Sequence, residues 1–220
     1  MSGWNLPALI DHTVLKPDAT KADVLRLCQE AKHHGFTVIF VPPCYIDEAV
    51  AALAGTGIHI GIPIGFPLGG HTTKAKVAEA IEAVSRGASV LDMVLNISRL
   101  KSGDHDYVRT DIAEVIRCTP HVEHKVILET CYLTQQEKQT ACQLVVEAGA
   151  DYVKTSTGFG TAGATVEDVR LLKEAVAGRA KVKASGGIRD WRTTMAMLEA
   201  GADRIGTSAS LKIIEEWRVS

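Results

Sequence analysis

Val146-Glu-Ala-Gly-Ala-Asp-Tyr-Val153 and Leu198-Glu-Ala-Gly-Ala-Asp-Arg-Ile205 are two copies of one short phrase, and Val84-Ser-Arg-Gly-Ala-Ser-Val-Leu91 is a looser third. In each, a helical pattern runs into a glycine, then an alanine, then the start of a β-rich run. Glycine can end a helix in the left-handed conformation, and alanine permits close packing as the chain enters a buried strand. The phrase therefore marks helix-to-strand junctions at the bottom of an α/β fold and carries no chemistry of its own.

Outward from these junctions, β-rich runs alternate with helical patterns from end to end, as parallel βαβ units require. Strands are expected at Leu9–Leu15, Thr37–Val41, Ile58–Ile64, Val90–Leu95, Lys125–Glu129, Tyr152–Thr155, Lys181–Ala184 and Arg204–Gly206. Helices are expected at Lys21–His34, Ile46–Leu53, Thr73–Arg86, Tyr107–Arg117, Gln135–Ala148, Val166–Ala177, Trp191–Ala200 and Leu211–Trp217. Eight βα units in 220 residues predict a TIM (β/α)8 barrel, whose size range begins near about 200 residues. An open doubly wound sheet is the alternative, although no Gly-x-Gly-x-x-Gly follows the first strand. With 46% hydrophobic content and no linker-like stretch, residues 1–220 read as a single domain.

The 24 basic and 26 acidic residues are interspersed, for a formal net charge of −2. That leaves no electrostatic footprint for nucleic acid or an anionic membrane, so the expected partner is a small molecule. A homo-oligomer is left open. Met1-Ser-Gly-Trp-Asn5 has neither a basic nor an apolar leader region, and nowhere do about 18 apolar residues run together. A cytoplasmic protein is expected. The five cysteines, Cys28, Cys44, Cys118, Cys131 and Cys142, form no C-x-x-C pair, which points to reduced thiols and to no metal site.

In a barrel of this kind, residues that end strands face the active site and residues that begin them serve stability. This sorts the lysines. Lys125 and Lys181 begin strands and read as structural, whereas Lys154, in Asp151-Tyr-Val-Lys-Thr-Ser-Thr-Gly158, and Lys183, in Lys181-Val-Lys-Ala-Ser-Gly-Gly-Ile-Arg189, open onto small-residue loops. Asp92 is a carboxylate inside an apolar strand and needs a cationic or hydrogen-bonding partner. An ordinary lysine, with pKa near ~10.4, is only about 0.04% free amine at pH 7. A second ammonium about 4 Å away, at effective dielectric ~20, adds roughly 4 kcal/mol of repulsion, or about three pKa units. Lys183 is therefore expected to activate Lys154 for imine formation, which needs no cofactor, with Asp92 moving protons.

Glycines and hydroxyls on the same rim suit an anion. Ser185-Gly186-Gly187-Ile188-Arg189 follows strand seven and Gly206-Thr207-Ser208 follows strand eight, where barrels often bind phosphate through backbone amides. Gly158, Gly186, Gly187, Gly206 and Ser208 are the candidate phosphate contacts, with Asp11, Thr157 and Arg189 as candidates for support. His12 reads as a packed or hydrogen-bonded histidine, Glu129 as support behind the site, and Gly65-Phe66-Pro67-Leu68-Gly69-Gly70 as a turn that shapes the mouth. On these residues alone, a phosphate-binding barrel without turnover and an isomerase using Asp92 as base stay open beside the imine-forming enzyme.

Over nearly its whole length the chain resembles the deoxyribose-phosphate aldolases, a class I aldolase family with a TIM-barrel fold. The resemblance rests on Ile10-Asp-His-Thr-Val-Leu-Lys-Pro17, Ile64-Gly-Phe-Pro-Leu-Gly69, Leu91-Asp-Met-Val94, Leu100-Lys-Ser-Gly103, Glu129-Thr-Cys-Tyr132, Val153-Lys-Thr-Ser-Thr-Gly-Phe-Gly160, Val182-Lys-Ala-Ser-Gly-Gly-Ile-Arg189 and Arg204-Ile-Gly-Thr-Ser208. It implies Lys154 as the Schiff-base residue, Asp92 as the proton-transfer carboxylate and Lys183 as the activating lysine. It also implies a small phosphorylated sugar, 2-deoxy-D-ribose 5-phosphate, as substrate. Two positions depart from the family pattern: Ala209 stands where many relatives carry a second serine, and Pro42 where the residue is often polar.

Overall fold

Gly87, Gly149 and Gly201, the glycines of the repeated phrase, all take left-handed backbone, with φ of 110°, 88° and 110°. At each, the next amide reaches back into the helix: Ala88 to the Ala83 carbonyl at 3.0 Å, Ala150 to Val145 at 3.2 Å and Ala202 to Met197 at 3.0 Å. These bonds satisfy carbonyls that a helix end would otherwise leave orphaned. The sixth residue of the phrase then ties the new strand to its neighbour. Asp151 accepts the His124 amide at 2.8 Å and donates its own amide to the His124 carbonyl at 3.0 Å. Asp203 does the same with Val182, at 2.8 and 2.7 Å, and Ser89 with Ile60, at 3.3 and 2.9 Å.

The computed structural model describes residues 4–220; the reading of the N-terminus as lacking a leader falls partly on Met1, Ser2 and Gly3, which lie outside the described residues. The strands are β1 (Ile10–Thr13), β2 (Val38–Phe40), β3 (His59–Ile64), β4 (Val90–Val94), β5 (Glu123–Ile127), β6 (Tyr152–Lys154), β7 (Lys181–Ser185) and β8 (Arg204–Thr207). Each pairs in parallel with the next, and β8 returns to β1 with Ile205 opposite Ile10. The sheet is thus a closed barrel, and the open doubly wound alternative is excluded.

A short helix α1 (Leu6–Leu9) precedes β1. The crossovers are α2 (Lys21–His34), α3 (Ile46–Leu53), α4 (Thr73–Ser85), then, after the extra helix α5 (Ile97–Lys101), α6 (His105–Cys118), α7 (Gln135–Glu147), α8 (Val166–Val176), α9 (Trp191–Glu199) and α10 (Ser210–Arg218). Thr20 and Thr134 open α2 and α7 with reciprocal capping boxes to Asp23 and Glu137. Among the described residues no helix is long and apolar enough to cross a membrane.

Two expected boundaries move in ways that matter. Leu9 belongs to α1, so the first strand starts at Ile10. The fifth starts at Glu123 rather than Lys125 and stops at Ile127, because Glu129 turns into left-handed backbone at φ 54°. Lys125 is therefore not the opening residue of its strand but its middle, fully buried and in register with Asp92.

The main apolar core lies between sheet and helices, where Ile39, Ile62, Leu91, Val126, Val153, Val182 and Ile205 meet residues such as Val24, Leu53, Leu172 and Ile213. Inside the barrel a separate small cluster of Val38, Phe40 and Val90 accompanies charged side chains. Missing side chains make room for these: a Cβ on Gly61 would enter the Phe40 ring, and one on Gly206 would lie 2.9 Å from Lys183 Cε. Gly61→Ala is accordingly expected to cost about 2 kcal/mol by overpacking. At roughly 2–4 °C per kcal/mol for a chain of this size, thermal unfolding should show a Tm lower by several degrees. An unchanged Tm would mean that Phe40 shifts aside without strain.

Candidate active site

Alternation along a strand sends every second side chain into the barrel, and parallel register sets which of them meet. Asp92 of β4 stands beside Lys125 of β5, and Lys154 of β6 beside Lys183 of β7. Lys154 ends its strand as expected, whereas Lys183 is the central residue of β7, two positions before its end. The exposed Lys181 does begin its strand.

One carboxylate oxygen joins the two amines. Asp92 Oδ2 accepts from Lys154 Nζ at 2.6 Å and from Lys183 Nζ at 2.7 Å. Lys183 also lies 2.6 Å from Asp11 Oδ2, and Arg204 donates to Asp11 Oδ1 at 2.8 Å. Lys125 pairs with Glu123 and stands 3.9 Å from Asp92 Oδ1 and 4.0 Å from Asp11 Oδ2. Phe40 lies under the amines, its ring centroid 4.0 Å from Lys183 Nζ, 5.6 Å from Lys154 Nζ and 5.7 Å from Lys125 Nζ, within reach of a cation–π attraction.

The two lysines respond oppositely to this shared surrounding. Burial is the largest influence on Lys154 and lowers its pKa, Asp92 opposes it, and the Lys183 charge pushes the same way as burial; the result is a pKa of about 8. For Lys183, burial is outweighed by Asp11 and Asp92, which raise it and keep it cationic. Burial would raise the Asp92 carboxyl, but Lys154, Lys183 and Lys125 hold it well below the usual carboxylate range. Asp11 is lowered likewise, against burial, chiefly by Lys183. The expected depression of Lys154 by the Lys183 charge is present, but burial rather than that charge contributes most.

Access separates the lysines further. Lys154, 5% exposed, lines a cleft of about 280 Å³ at the C-terminal mouth of the barrel; Lys183, 1% exposed, does not. Gly158, Gly186, Gly187, Gly206 and Ser208 line this same cleft, as do Thr157 and Arg189, and no carboxylate does among the described residues. Asp11 lies beneath it at the Lys183 ammonium. A larger cavity of about 520 Å³ lies on the far side of Lys16 and Ser208, against α2 and α10, and none of the buried barrel lysines reaches it. The cleft walls are cross-braced. Thr155 Oγ1 donates to the Ser185 carbonyl and accepts the Ser185 amide, both at 3.0 Å, while Thr207 Oγ1 donates to the Ile188 carbonyl at 2.7 Å.

The remaining expected residues sort readily. His12 is buried between Ser210 Oγ at 2.9 Å and Glu30 Oε2 at 2.8 Å, outside the Lys154 cleft. The Gly65-to-Gly70 segment does not line the cleft itself, but its Phe66 packs edge-on against Phe159, which does, with ring centroids 5.4 Å apart. The Ala209 amide is engaged by Thr207 Oγ1 at 2.9 Å, so it is not free to replace a missing serine hydroxyl. Pro42 lies outside the cleft, before the 3₁₀ turn Pro43–Tyr45. Sequence reasoning missed Phe40, Arg204 and the interior position of Lys125. The signal for Lys125 was its two-residue spacing from Glu123 and Ile127, legible once the strand start is correct.

A family model described as DeoC/LacD family aldolase matches residues 7–216. A deoxyribose-phosphate aldolase of Thermoanaerobacter sp. (strain X514) is 56% identical over 216 residues, with 97% of each chain covered. Among solved structures, "QR15, an Aldolase" superposes with a TM-score of 0.93 at 43% identity, covering 98% of this chain and 96% of that one. A tetrameric deoxyribose phosphate aldolase of Aeropyrum pernix does so with a TM-score of 0.90 at 33% identity, covering 97% and 91%.

A lysine titrating at about 8 gains its nucleophilic form as pH rises through that value and saturates above it. Reductive alkylation of Lys154, followed by peptide mass mapping across pH, should therefore show a midpoint near about 8. Lys183→Met removes a repelling cation and frees Asp92 to pair with Lys154 alone, so both effects should move the midpoint to higher pH. A midpoint that stays in place would show that the Lys183 charge has no part in the shift.

Proposed function

We propose, because this chain belongs to the DeoC/LacD family of aldolases, that it reversibly cleaves 2-deoxy-D-ribose 5-phosphate to D-glyceraldehyde 3-phosphate and acetaldehyde through an imine on Lys154. The observation that carries this reading is that, of the three buried lysines inside the barrel, Lys154 alone opens into the cleft while sharing an Asp92 oxygen with Lys183. A base-only isomerase leaves that second amine without a task.

Neutral Lys154 Nζ attacks the C1 carbonyl of the open-chain sugar. A proton carried by way of Asp92 reaches the carbinolamine oxygen, and water leaves. The resulting iminium takes up the electron pair of the C2–C3 bond as the C3 hydroxyl loses its proton, which releases glyceraldehyde 3-phosphate and leaves an enamine. Protonation at C2 and hydrolysis of the imine then free acetaldehyde and restore the amine. Lys183, held cationic by Asp11 and Asp92, keeps Asp92 ionised between proton transfers. Gly158, Gly186, Gly187, Gly206 and Ser208 would receive the phosphate, with Arg189 adding charge at the rim. A one-domain cytoplasmic subunit that assembles with its own copies is the matching reading, supported by the tetrameric Aeropyrum pernix relative.

Borohydride trapping with deoxyribose 5-phosphate should fix a reduced adduct on the peptide that holds Lys154, and Lys154→Leu should lose both adduct and turnover. A label confined to Lys183 would reverse the roles. Gly187, at φ 78°, faces open space, so Gly187→Asp adds backbone strain and a carboxylate to the cradle. KM for the phosphorylated sugar should rise at least about tenfold, the scale of one charge-assisted hydrogen bond, with little change for unphosphorylated deoxyribose. Equal losses for both sugars would remove this loop from phosphate binding.

A further inference from the structure

Glu129 is 2% exposed, yet it sits past the end of β5 in left-handed backbone, at φ 54° and ψ 65°. Such a conformation persists in a glutamate only where its surroundings hold it. Thr130, next in the chain, donates its amide to the Thr155 carbonyl at 3.0 Å. Thr157 donates its amide to both Glu129 carboxylate oxygens, at 3.2 and 3.3 Å, and its hydroxyl to Oε2. The same hydroxyl accepts the Phe159 amide at 3.0 Å, so the turn after Lys154 takes its shape from the Glu129 side. Gly160 packs on this carboxyl, where a Cβ would come within 3.0 Å of Glu129 Cδ. On the opposite side of the turn, a Cβ on Gly158 would meet Gly186 Cα at 4.0 Å.

Lys154 is placed independently of these contacts. Its carbonyl accepts the Leu128 amide at 2.9 Å, and the Thr155 amide donates to the Lys183 carbonyl at 3.1 Å. Glu129 itself does not line the cleft.

We propose that Glu129 is a positioning residue for phosphate recognition: its carboxylate holds the Thr157-to-Gly160 turn against Gly186 and so completes the cradle, without entering the imine chemistry. The proposal rests on the aldolase reading above and gives Glu129, expected only as support behind the site and absent from the cleft lining, a specific task. Thr157 and Glu129 then act as one unit, and changes to either should be non-additive.

The test compares Glu129→Ala and Thr157→Val with wild type on deoxyribose 5-phosphate, on unphosphorylated deoxyribose and in borohydride trapping of acetaldehyde. Each variant is expected to raise KM for the phosphorylated sugar about tenfold. For Glu129→Ala the KM for deoxyribose and kcat should hold, and the pH midpoint of acetaldehyde trapping should move only slightly, downward, because the Glu129 charge favours the Lys154 cation. Glu129→Gln keeps the length and one acceptor and should recover part of the loss; Glu129→Asp, one methylene short, should not. Thr157→Val keeps the side-chain shape and serves if the alanine variant fails to fold. Loss of acetaldehyde trapping, or a fall in kcat at fixed KM, would place Glu129 in the chemistry and overturn the proposal. Wild-type kinetics beside a lowered Tm would reduce it to a structural residue. A wild-type protein that traps acetaldehyde but leaves the sugar phosphate intact would overturn the substrate reading and this proposal with it, whereas variants matching an active wild type overturn the proposal alone.

Discussion

Asp92 Oδ2, fully buried inside the barrel, sits between the amines of Lys154 and Lys183, and the properties of the site follow from how that charge is balanced. Four cationic side chains, Lys125, Lys154, Lys183 and Arg204, face three carboxylates, Asp11, Asp92 and Glu123. Asp11 and Asp92 hold Lys183 cationic, whereas for Lys154 burial and the Lys183 charge outweigh Asp92 and lower its pKa to about 8. Burial of an ammonium is relieved by losing the proton. Lys154 is also the amine that reaches the cleft, so the group with the weakest hold on its proton is the one a carbonyl can meet.

This arrangement does little for stability. A buried ion pair seldom stabilises more than well-packed apolar side chains of the same volume, and removing one partner costs about 3–5 kcal/mol because the other is stranded. The barrel interior is therefore expected to be held in place from outside. The continuous apolar core between sheet and helices performs that task, with interior volume managed by absence: Gly61 yields to Phe40 and Gly206 to Lys183. The polar interior can then be shaped for chemistry because the fold does not rely on it.

What was legible in the sequence follows the same division. The repeated phrase exposed three junctions because a glycine at positive φ is a local demand on residue type, and the eight alternating βα units they punctuate predicted the barrel. Lys154, Lys183 and Asp92 were legible because a charge within an apolar strand is too costly to bury without a partner or a task. Lys125 was misplaced since strand five begins with Glu123-His-Lys125, a polar start that resembles a loop until its pairing with Asp92 and Tyr152 is known. Phe40 was invisible for the opposite reason: in Val38-Ile-Phe40 every residue is apolar, so alternation carries no sign of which one faces inward. The Lys154 pKa could be given a direction from sequence, but not its main cause, because burial is a property of the closed barrel.

The two ends of the barrel use different chemistry for the same mechanical task. At the bottom, Asp151 and Asp203 bind neighbouring strands through carboxylate-to-amide hydrogen bonds, which are strong because the acceptor is charged. At the mouth, the corresponding braces are neutral hydroxyls: Thr155 to Ser185 and Thr207 to Ile188. A carboxylate in those positions could not donate to the Ser185 and Ile188 carbonyls, and it would project like charge toward any phosphate held by the glycines. Glu129 is the acid nearest to this rule's limit, and its geometry meets it. The carboxylate is buried, directed at the Thr157 amide and hydroxyl, and kept out of the cleft, so it supplies charged-acceptor strength behind the wall while, among the described residues, the surface offered to an anion carries only Lys16, Lys154 and Arg189 as charged groups.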